Sequence, residues 1–231
     1  MRRVESVLEP IIESVSLEGK SVVDVGCGDG DVARALSEHG ARVIGVDRPE
    51  KLAKARVGEE MRGVRFVEGR AERLPVGDAS ADLVLFLASF HHVPPIEVQN
   101  ALSEAFRVLS PGGAALFIEP LVECSYYLIT RLVEDETDAR QGAQEAIANA
   151  VTAGFEAESE DFFFIERSFG DYRDLLDVHW EESEQLKAQV LARAEVIAQK
   201  LAAGAGCALD EYRFQSACRL NLLRKPDDEL R

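Results

Sequence analysis

The stretch VVDVGCGDG, residues 22–30, combines a glycine-rich turn with two carboxylates. Apolar residues run into glycines at positions 26, 28 and 30, which is the pattern of a buried strand that ends in a turn. A glycine backbone can approach a ligand closely because it carries no side chain. Asp24 and Asp29 lie beside these glycines, and their charge would repel a phosphate held by the turn. The residue types therefore favour a ligand that carries positive charge.

Two phosphate-binding motifs are excluded by their spacing. A dinucleotide fingerprint reads G-x-G-x-x-G, but Asp31 stands where the third glycine would be. The P-loop pattern G-x-x-x-x-G-K-[ST] does not occur in the chain. S-adenosylmethionine has an ammonium, a sulfonium, a nucleoside end and no phosphate, so it suits both the glycines and the carboxylates.

A further carboxylate supports this cofactor. Asp47 closes the predicted strand VIGVD, about 20 residues after the first glycine, where a carboxylate can accept hydrogen bonds from both ribose hydroxyls. Each carboxylate also has an alternative role: Asp47 could cap the helix that begins near Pro49, and Asp24 could cap amides of the turn.

At this point the chain resembles the class I S-adenosylmethionine-dependent methyltransferases, in particular the ubiquinone-biosynthesis-like group that acts on small molecules. The blocks VVDVGCGDG, VIGVD, VEGRAERLPVGDASADLVLFLASFHHV and RVLSPGGAALFIEP occur in family order. The resemblance implies an enzyme that transfers a methyl group to a small-molecule acceptor by in-line displacement and leaves S-adenosylhomocysteine. A non-catalytic protein that binds the cofactor, with a regulatory or partner role, and another group transfer from the same cofactor stay open as alternatives.

The resemblance also implies a set of cofactor-binding residues. Asp24 and the glycine turn would hold the methionine part, Asp47 the ribose and Arg48 the adenine. Many relatives have Asp where Arg70 stands, and a guanidinium cannot accept a hydrogen bond from the adenine amino group. We therefore expect Arg70 to stack on the ring or point outward. The implied set is Asp24, Gly26, Cys27, Gly28, Asp47, Arg48, Arg70, Ala71, Ala88 and Ser89.

The segment FHHVP supplies the candidate catalytic groups. His91 and His92 follow a predicted strand, and an imidazole has an unperturbed pKa near neutrality, so either ring could act as general base or shape the acceptor site. No third ligand follows at metal spacing, and no metal is expected. Glu119 and Trp180 are the candidate substrate contacts, with a capping role and a core role as their respective alternatives.

The elements that must position these groups alternate between short apolar strands and helices as far as residue 120. This rhythm predicts an α/β fold, doubly wound and Rossmann-like, with a mostly parallel seven-stranded sheet, an antiparallel strand at the edge and a helical insertion or lid. We expect one domain over residues 1–231. Its predicted helical parts are an N-terminal cap at 1–18 and lid segments at 121–158 and 168–210.

Charge and composition limit the classes of molecule that this protein is expected to bind. The formal net charge is -16, and residues 121–166 hold eleven carboxylates against two arginines. Such a surface disfavours nucleic acid and anionic membranes, and it would attract an amine or another cationic acceptor if it forms a lid. The four cysteines show no CxxC spacing, and no run of about 18 apolar residues occurs, so we expect a cytoplasmic protein. The oligomeric state is left open.

Overall fold

The computed structural model describes residues 1–56, 62–131, 134–169 and 212–227, and these contain one eight-stranded sheet. The strands are β1 (Arg2–Val4), β2 (Ser21–Val25), β3 (Arg42–Asp47), β4 (Val64–Glu68), β5 (Ala81–Leu87), β6 (Leu109–Pro120), β7 (Glu156–Phe169) and β8 (Tyr212–Arg224). Their order across the sheet is β1-β7-β8-β6-β5-β2-β3-β4. Every neighbouring pair is parallel except the two pairs that β8 makes.

Helices cover both faces of the sheet. They are α1 (Leu8–Ser14), α2 (Asp31–Glu38), α3 (Pro49–Ala55), α4 (Val98–Val108), α5 (Ser125–Thr130) and α6 (Thr137–Ala148). One core packs α1 and α2 against the face that includes Leu85 and Leu116, and the opposite core packs α4 and α6 against Phe86 and Phe117. Strands buried on both faces explain why β2, β5 and β6 read as nearly continuous apolar runs.

The predicted fold class is confirmed, with eight strands where seven were expected. The additional strand is Arg2–Val4, which lies in the segment predicted as a helical cap and pairs in parallel with Phe163–Ile165 of β7. The antiparallel strand β8 lies between β6 and β7, so that β7 and β1 complete this end of the sheet. Residues 170–210 of the predicted lid segment, which include Trp180 and Cys207, lie outside the described residues.

The reversal of strand order next to β2 places the candidate residues. From β2 the chain moves outward through β3 and β4, and it then returns to β5 on the other side of β2. Such a switch point opens a crevice at the carboxyl ends of the strands, where ligands bind in open α/β sheets. The glycine turn, Asp47, the loop after β5 and Glu119 all lie at this end of the sheet.

Candidate functional site

The glycine turn after β2 fits tightly against the loop after β5. Gly26 has a φ of +77°, and a Cβ added there would lie 2.5 Å from the Cβ of Ser89. Its amide donates to the Val46 carbonyl at 2.8 Å, which fixes the turn to β3. Gly28, with a φ of +55°, has no atom within 4 Å of its Cβ position. The turn is therefore packed at Gly26 and open at Gly28.

Asp24 is a buried carboxyl group near the end of β2. It is 2% exposed, and its Oδ2 has no hydrogen-bond partner among the described residues. Burial, with a contribution from the charge of Asp47, raises its pKa to about 7. A buried carboxylate without a donor is costly, whereas a nearby cation would stabilise its charged form. The predicted capping alternative would require a donor at this oxygen, and the described residues supply none.

The carboxylate of Asp47 orders the start of the next loop. Its Oδ2 accepts a hydrogen bond from the Gly28 amide at 2.8 Å, and its Oδ1 accepts one from the Arg48 amide at 2.7 Å. Each carboxylate oxygen can accept a second hydrogen bond. Asp47 is half-buried, and a ribose-binding role fits this geometry. Neither of the two amides belongs to α3, so these hydrogen bonds do not cap that helix.

A cavity of about 510 Å³ opens beyond Asp47, at the side predicted to take the adenine. Arg48 and Arg70 line it, and the Arg70 side chain is exposed. The Arg70 carbonyl accepts from the Arg73 amide at 3.1 Å, which closes a turn, and Ala71 packs against the core. Arg48 and Arg70 are therefore two of the residues that border this cavity.

The loop after β5 is held in an uncommon conformation. Ala88 has a φ of +47°, and its amide donates to the Ile118 carbonyl of β6 at 2.8 Å. The Ser89 hydroxyl donates to the Val25 carbonyl at 2.6 Å, which fixes this loop to the glycine turn. A non-glycine residue in the left-handed region is strained, and such strain concentrates at functional sites.

Glu119, near the end of β6, binds the backbone of the loop after β5. It is 1% exposed, and its Oε1 accepts from the amides of Ser89 at 3.1 Å and Phe90 at 2.8 Å. Its Oε2 lies 2.5 Å from Nδ1 of His91. Both oxygens are therefore occupied by the protein, which is the capping role that the sequence left open beside substrate contact.

The two adjacent histidines have opposite environments. His91 is 7% exposed, with Nε2 3.7 Å from Oε1 of Glu136. Burial disfavours its charged form, but the carboxylates of Glu119 and Glu136 outweigh burial and raise its pKa to about 9. The His92 ring is 63% exposed, and desolvation by the surrounding chain together with the charge of His91 lowers its pKa. His91 is therefore the charged ring of the pair near neutrality, and His92 is the neutral one.

Sequence reasoning missed the role of Glu136 and Arg140. Burial would raise the pKa of Glu136, but His91 and Arg140 together lower it to about 2. Arg140 donates to Glu136 at 2.7 Å, and its guanidinium lies 4.1 Å from the ring centre of Tyr127. The spacing of four residues between Glu136 and Arg140 is a helix pairing signal that the sequence carries. Nothing in the sequence links this pair to His91.

His91, His92 and Glu136 offer one atom each of a type that can ligate a metal, and these atoms lie within 4.8 Å of one another. From the sequence we expected no metal, because no third ligand follows the two histidines at metal spacing. Glu136 is distant in sequence and was not considered as that ligand. In this arrangement the charges of Glu119 and Glu136 are balanced by protonated His91 and Arg140. With a proton on His91, the two negative and two positive charges of these four side chains therefore cancel.

The Cys27 side chain packs with Leu52 and Ala55 in the core, so only its backbone borders the turn. The Asp135 carboxylate accepts a hydrogen bond from the Thr137 amide at 3.0 Å, at the first residue of α6. Trp180 lies outside the described residues.

The arrangement fits S-adenosylmethionine on two observations. The orphaned Oδ2 of Asp24 suits a cationic group, and the open space at Gly28 leaves room for a ligand against the backbone. The fold and this edge together define a doubly wound α/β domain with a binding crevice for a cationic nucleoside.

Comparison with known proteins gives the same class. Residues 23–117 match the family described as a methyltransferase domain. The chain is 41% identical over 105 residues to a demethylmenaquinone methyltransferase of Thermus thermophilus, a match that covers 43% of this chain and 47% of that protein. It is 36% identical over 114 residues to a ubiquinone biosynthesis O-methyltransferase of Pseudomonas fluorescens, covering 46% and 47%. A crystal structure of a proposed methyltransferase from Bacillus halodurans superimposes with a TM-score of 0.64 at 25% identity, covering 95% of this chain and 99% of that one.

Residues 23–117 are therefore similar to known methyltransferase domains, and this match covers less than half of the chain. The matched segment spans about half the length of these curated relatives. Within the described ranges, no helix has the length and apolar character needed to cross a membrane.

Proposed function

We propose that this protein binds S-adenosylmethionine at the edge formed by Asp24, Gly28 and Asp47 and transfers its methyl group to a small-molecule acceptor. The observation that carries the proposal is the buried Asp24 carboxyl group, whose Oδ2 has no partner among the described residues and which precedes a turn with open space at Gly28. A ligand with an ammonium and a sulfonium supplies the positive charge that this oxygen needs.

The proposed cofactor contacts follow the order of the crevice. Asp24 and the backbone of Gly26, Cys27 and Gly28 hold the methionine part, and Asp47 holds the ribose hydroxyls. Arg48, Arg70 and Ala71 border the adenine beside the 510 Å³ cavity, while Ala88 and Ser89 close the opposite side. When bound, S-adenosylmethionine supplies a methyl group on a sulfonium, whose carbon–sulfur bond breaks as the acceptor's lone pair forms the new bond.

Of the two histidines, we propose His92 as the proton acceptor. Its lowered pKa keeps the ring neutral near pH 7, and its exposure lets a substrate reach a ring nitrogen. The ring would take the proton of an acceptor hydroxyl while the oxygen lone pair forms the bond to the methyl carbon. His91 is less suited, because both of its nitrogens face carboxylates and its raised pKa keeps it charged.

A weakly acidic hydroxyl is the acceptor that this geometry favours, because a neutral imidazole can deprotonate it during transfer. The other candidate is an amine or another cationic acceptor, which needs carboxylates that are open to solvent. Six of the eleven carboxylates in 121–166 instead pair with arginines; they are Asp135, Glu136, Glu158, Glu160, Asp161 and Glu166. Glu134 is exposed, so a Glu134→Gln variant with unchanged KM for an amine would count against the cationic acceptor.

Calorimetry with S-adenosylhomocysteine tests the cofactor site. We expect Asp47→Asn and Asp24→Asn each to raise Kd by about 10- to 100-fold, because a hydrogen bond to a charged group contributes about 1.5–3 kcal/mol. Asp78→Asn is the matched control, since Asp78 is exposed and pairs with Arg107 away from the crevice. Wild-type protein that binds an adenine nucleotide tightly and gives no heat with S-adenosylhomocysteine would overturn the proposal.

Turnover separates the enzyme from a binding protein. Wild-type protein incubated with S-adenosylmethionine and a metabolite extract should release S-adenosylhomocysteine, and His92→Ala should release it at least about 100-fold more slowly, as expected for a general base. Binding without turnover would favour the non-catalytic alternative. A product other than S-adenosylhomocysteine would indicate a different group transfer.

We also propose one domain and a cytoplasmic location. β1 near the N-terminus and β8 near the C-terminus both pair with β7, so the two ends of the chain complete one sheet. Cys27, Cys124 and Cys218 are buried free thiols, which is typical of reducing compartments. Detection of a disulfide in protein isolated from its source without reductant would count against this location.

A further inference from the structure

We propose that His91 is a positioning residue, whose ring joins Glu119 of β6 to Glu136 beside α6 and so holds α6 against the turn that carries His92. The proposal rests on the proposed function only in taking His92 to be the group that meets the acceptor. The contact itself is a property of the protein without ligand.

The first step is that one buried ring contacts two separate parts of the fold. Nδ1 of His91 lies 2.5 Å from Glu119, whose other oxygen accepts the amides of Ser89 and Phe90. Nε2 lies 3.7 Å from Glu136, which directly precedes the first residue of α6. Since the Glu119 carboxylate is rigidly held by three donors, the ring orientation is fixed from the sheet side.

The second step is the charge around the ring. The titratable and charged groups that face it are Glu119 from β6, Glu136 and Arg140 from the α6 region, and the neutral ring of the neighbouring His92. A cation between two carboxylates attracts both, and this attraction is strong where water is excluded. Arg140 binds the second oxygen of Glu136 and covers the Tyr127 ring, which extends the contact to α5.

The third step is the consequence for His92. Its Nδ1 lies 3.8 Å from the same Oε1 of Glu136 that faces His91. Fixing Glu136 through His91 therefore also places a carboxylate beside the exposed ring. Glu119 and His91 act on the acceptor side through this placement, without a direct contact to substrate.

Hydrogen exchange of the amides in 137–148 tests the contact in the full chain. We expect His91→Gln and Glu136→Gln each to speed exchange there by about tenfold, and the double variant to add little, because both changes remove one shared interaction. Glu145→Gln is the matched control, since Glu145 is an exposed residue of the same helix. Unchanged exchange in the single variants, or fully additive effects in the double variant, would overturn the proposal.

A measurement on the wild type guards against misfolded variants. Nitrogen-15 spectra of the histidine rings should show both nitrogens of His91 protonated at pH 7.5, while His92 is neutral. A neutral His91 ring at this pH overturns the proposal. So does tight binding of Zn²⁺ by the wild type that His91→Gln abolishes, because the cluster would then be a metal site.

The same samples separate this proposal from the proposed function. S-adenosylhomocysteine should bind Glu136→Gln within about twofold of its wild-type affinity, since Glu136 is not a cofactor contact. Failure of the wild type to bind it would defeat the proposed function and leave the exchange result to decide the role of His91.

Discussion

The carboxylates in two regions of this protein differ in whether the protein supplies partners for them. At the carboxyl ends of β2 and β3, Asp24 is buried with an orphaned oxygen and Asp47 is only partly satisfied. In the part formed by β7, β8 and α6, half-buried and exposed carboxylates pair with arginines, as in the Glu136–Arg140 and Glu158–Arg224 pairs. Both regions are acidic in sequence. Among the described residues, only the first holds a buried carboxylate oxygen without a protein partner.

This difference teaches that local charge density is a poor guide to a binding site. The acidic run in 121–166 suggested an electrostatic lid, yet much of it is neutralised by arginines that come from distant strands. The site that we propose instead lies where one buried carboxylate oxygen lacks a donor among the described residues, next to a reversal of strand order. An unsatisfied buried group has a free-energy cost that a ligand can remove, whereas a paired group does not.

Of the changes that test the difference between the two regions, one in the glycine turn should have the largest effect. Gly26→Ala should raise the Kd for S-adenosylhomocysteine by more than about 100-fold, because a Cβ 2.5 Å from the Ser89 Cβ must displace the loop after β5. Gly19→Ala is the control: Gly19 also has a positive φ but no atom within 4 Å of its Cβ position. It should cost about 1 kcal/mol of stability and leave Kd unchanged, as calorimetry and urea unfolding would show. Equal effects of both variants on Kd would contradict the close packing.

The next largest effect should come from Glu119. Glu119→Gln should lower the free energy of unfolding by about 2 kcal/mol, because it removes the charge that His91 and two loop amides share in a buried site. Urea unfolding against Glu145→Gln checks this value. A change below about 0.5 kcal/mol would mean that the loop does not depend on this carboxylate.

The pH dependence of the free energy of unfolding tests whether Asp24, unlike the paired carboxylates, is buried without a partner. Its folded pKa, raised to about 7 by burial and by Asp47, lies above the unfolded value, so the folded state holds the extra proton in between. The contribution of this proton to the free energy of unfolding is fully present below about pH 4 and is lost as pH rises through 7. The free energy of unfolding falls over this range with a slope of at most about 1.4 kcal/mol per pH unit.

The measurement for Asp24 is the difference between wild-type and Asp24→Asn unfolding curves from pH 4 to 8. The wild type should lose stability relative to the variant across this window. Binding of the cationic cofactor near pH 6.5 should also release a proton, which calorimetry in buffers of different ionisation enthalpy detects. Parallel unfolding curves would show that Asp24 is charged throughout.

The smallest effect is expected at the paired region. Glu158→Gln removes a largely exposed pair with Arg224, and it should change the free energy of unfolding by less than about 0.5 kcal/mol and leave cofactor binding unchanged. Thermal melts at low and high salt measure this. A loss above about 1.5 kcal/mol would show that the arginine pairs stabilise this part more than surface pairs do.

Much of the first 120 residues was predictable because its signals are local. The alternation of apolar strands and helices, the glycine turn and Pro49 at the first position of α3 are set by residues close in sequence. Arg2–Val4 was missed as a strand because its pairing partner lies about 160 residues away. The partners of His91 were missed for the same reason.

The sequence by itself determined the α/β fold class and the glycine turn after β2, because glycine spacing and strand patterning depend on the local backbone. Tertiary structure alone decided which charges are satisfied. It gave His91 two carboxylates and left His92 exposed, although the two residues are adjacent and chemically identical. A side chain's protonation depends on burial and on partners brought in by the fold, and neither is encoded in the residue's own neighbourhood.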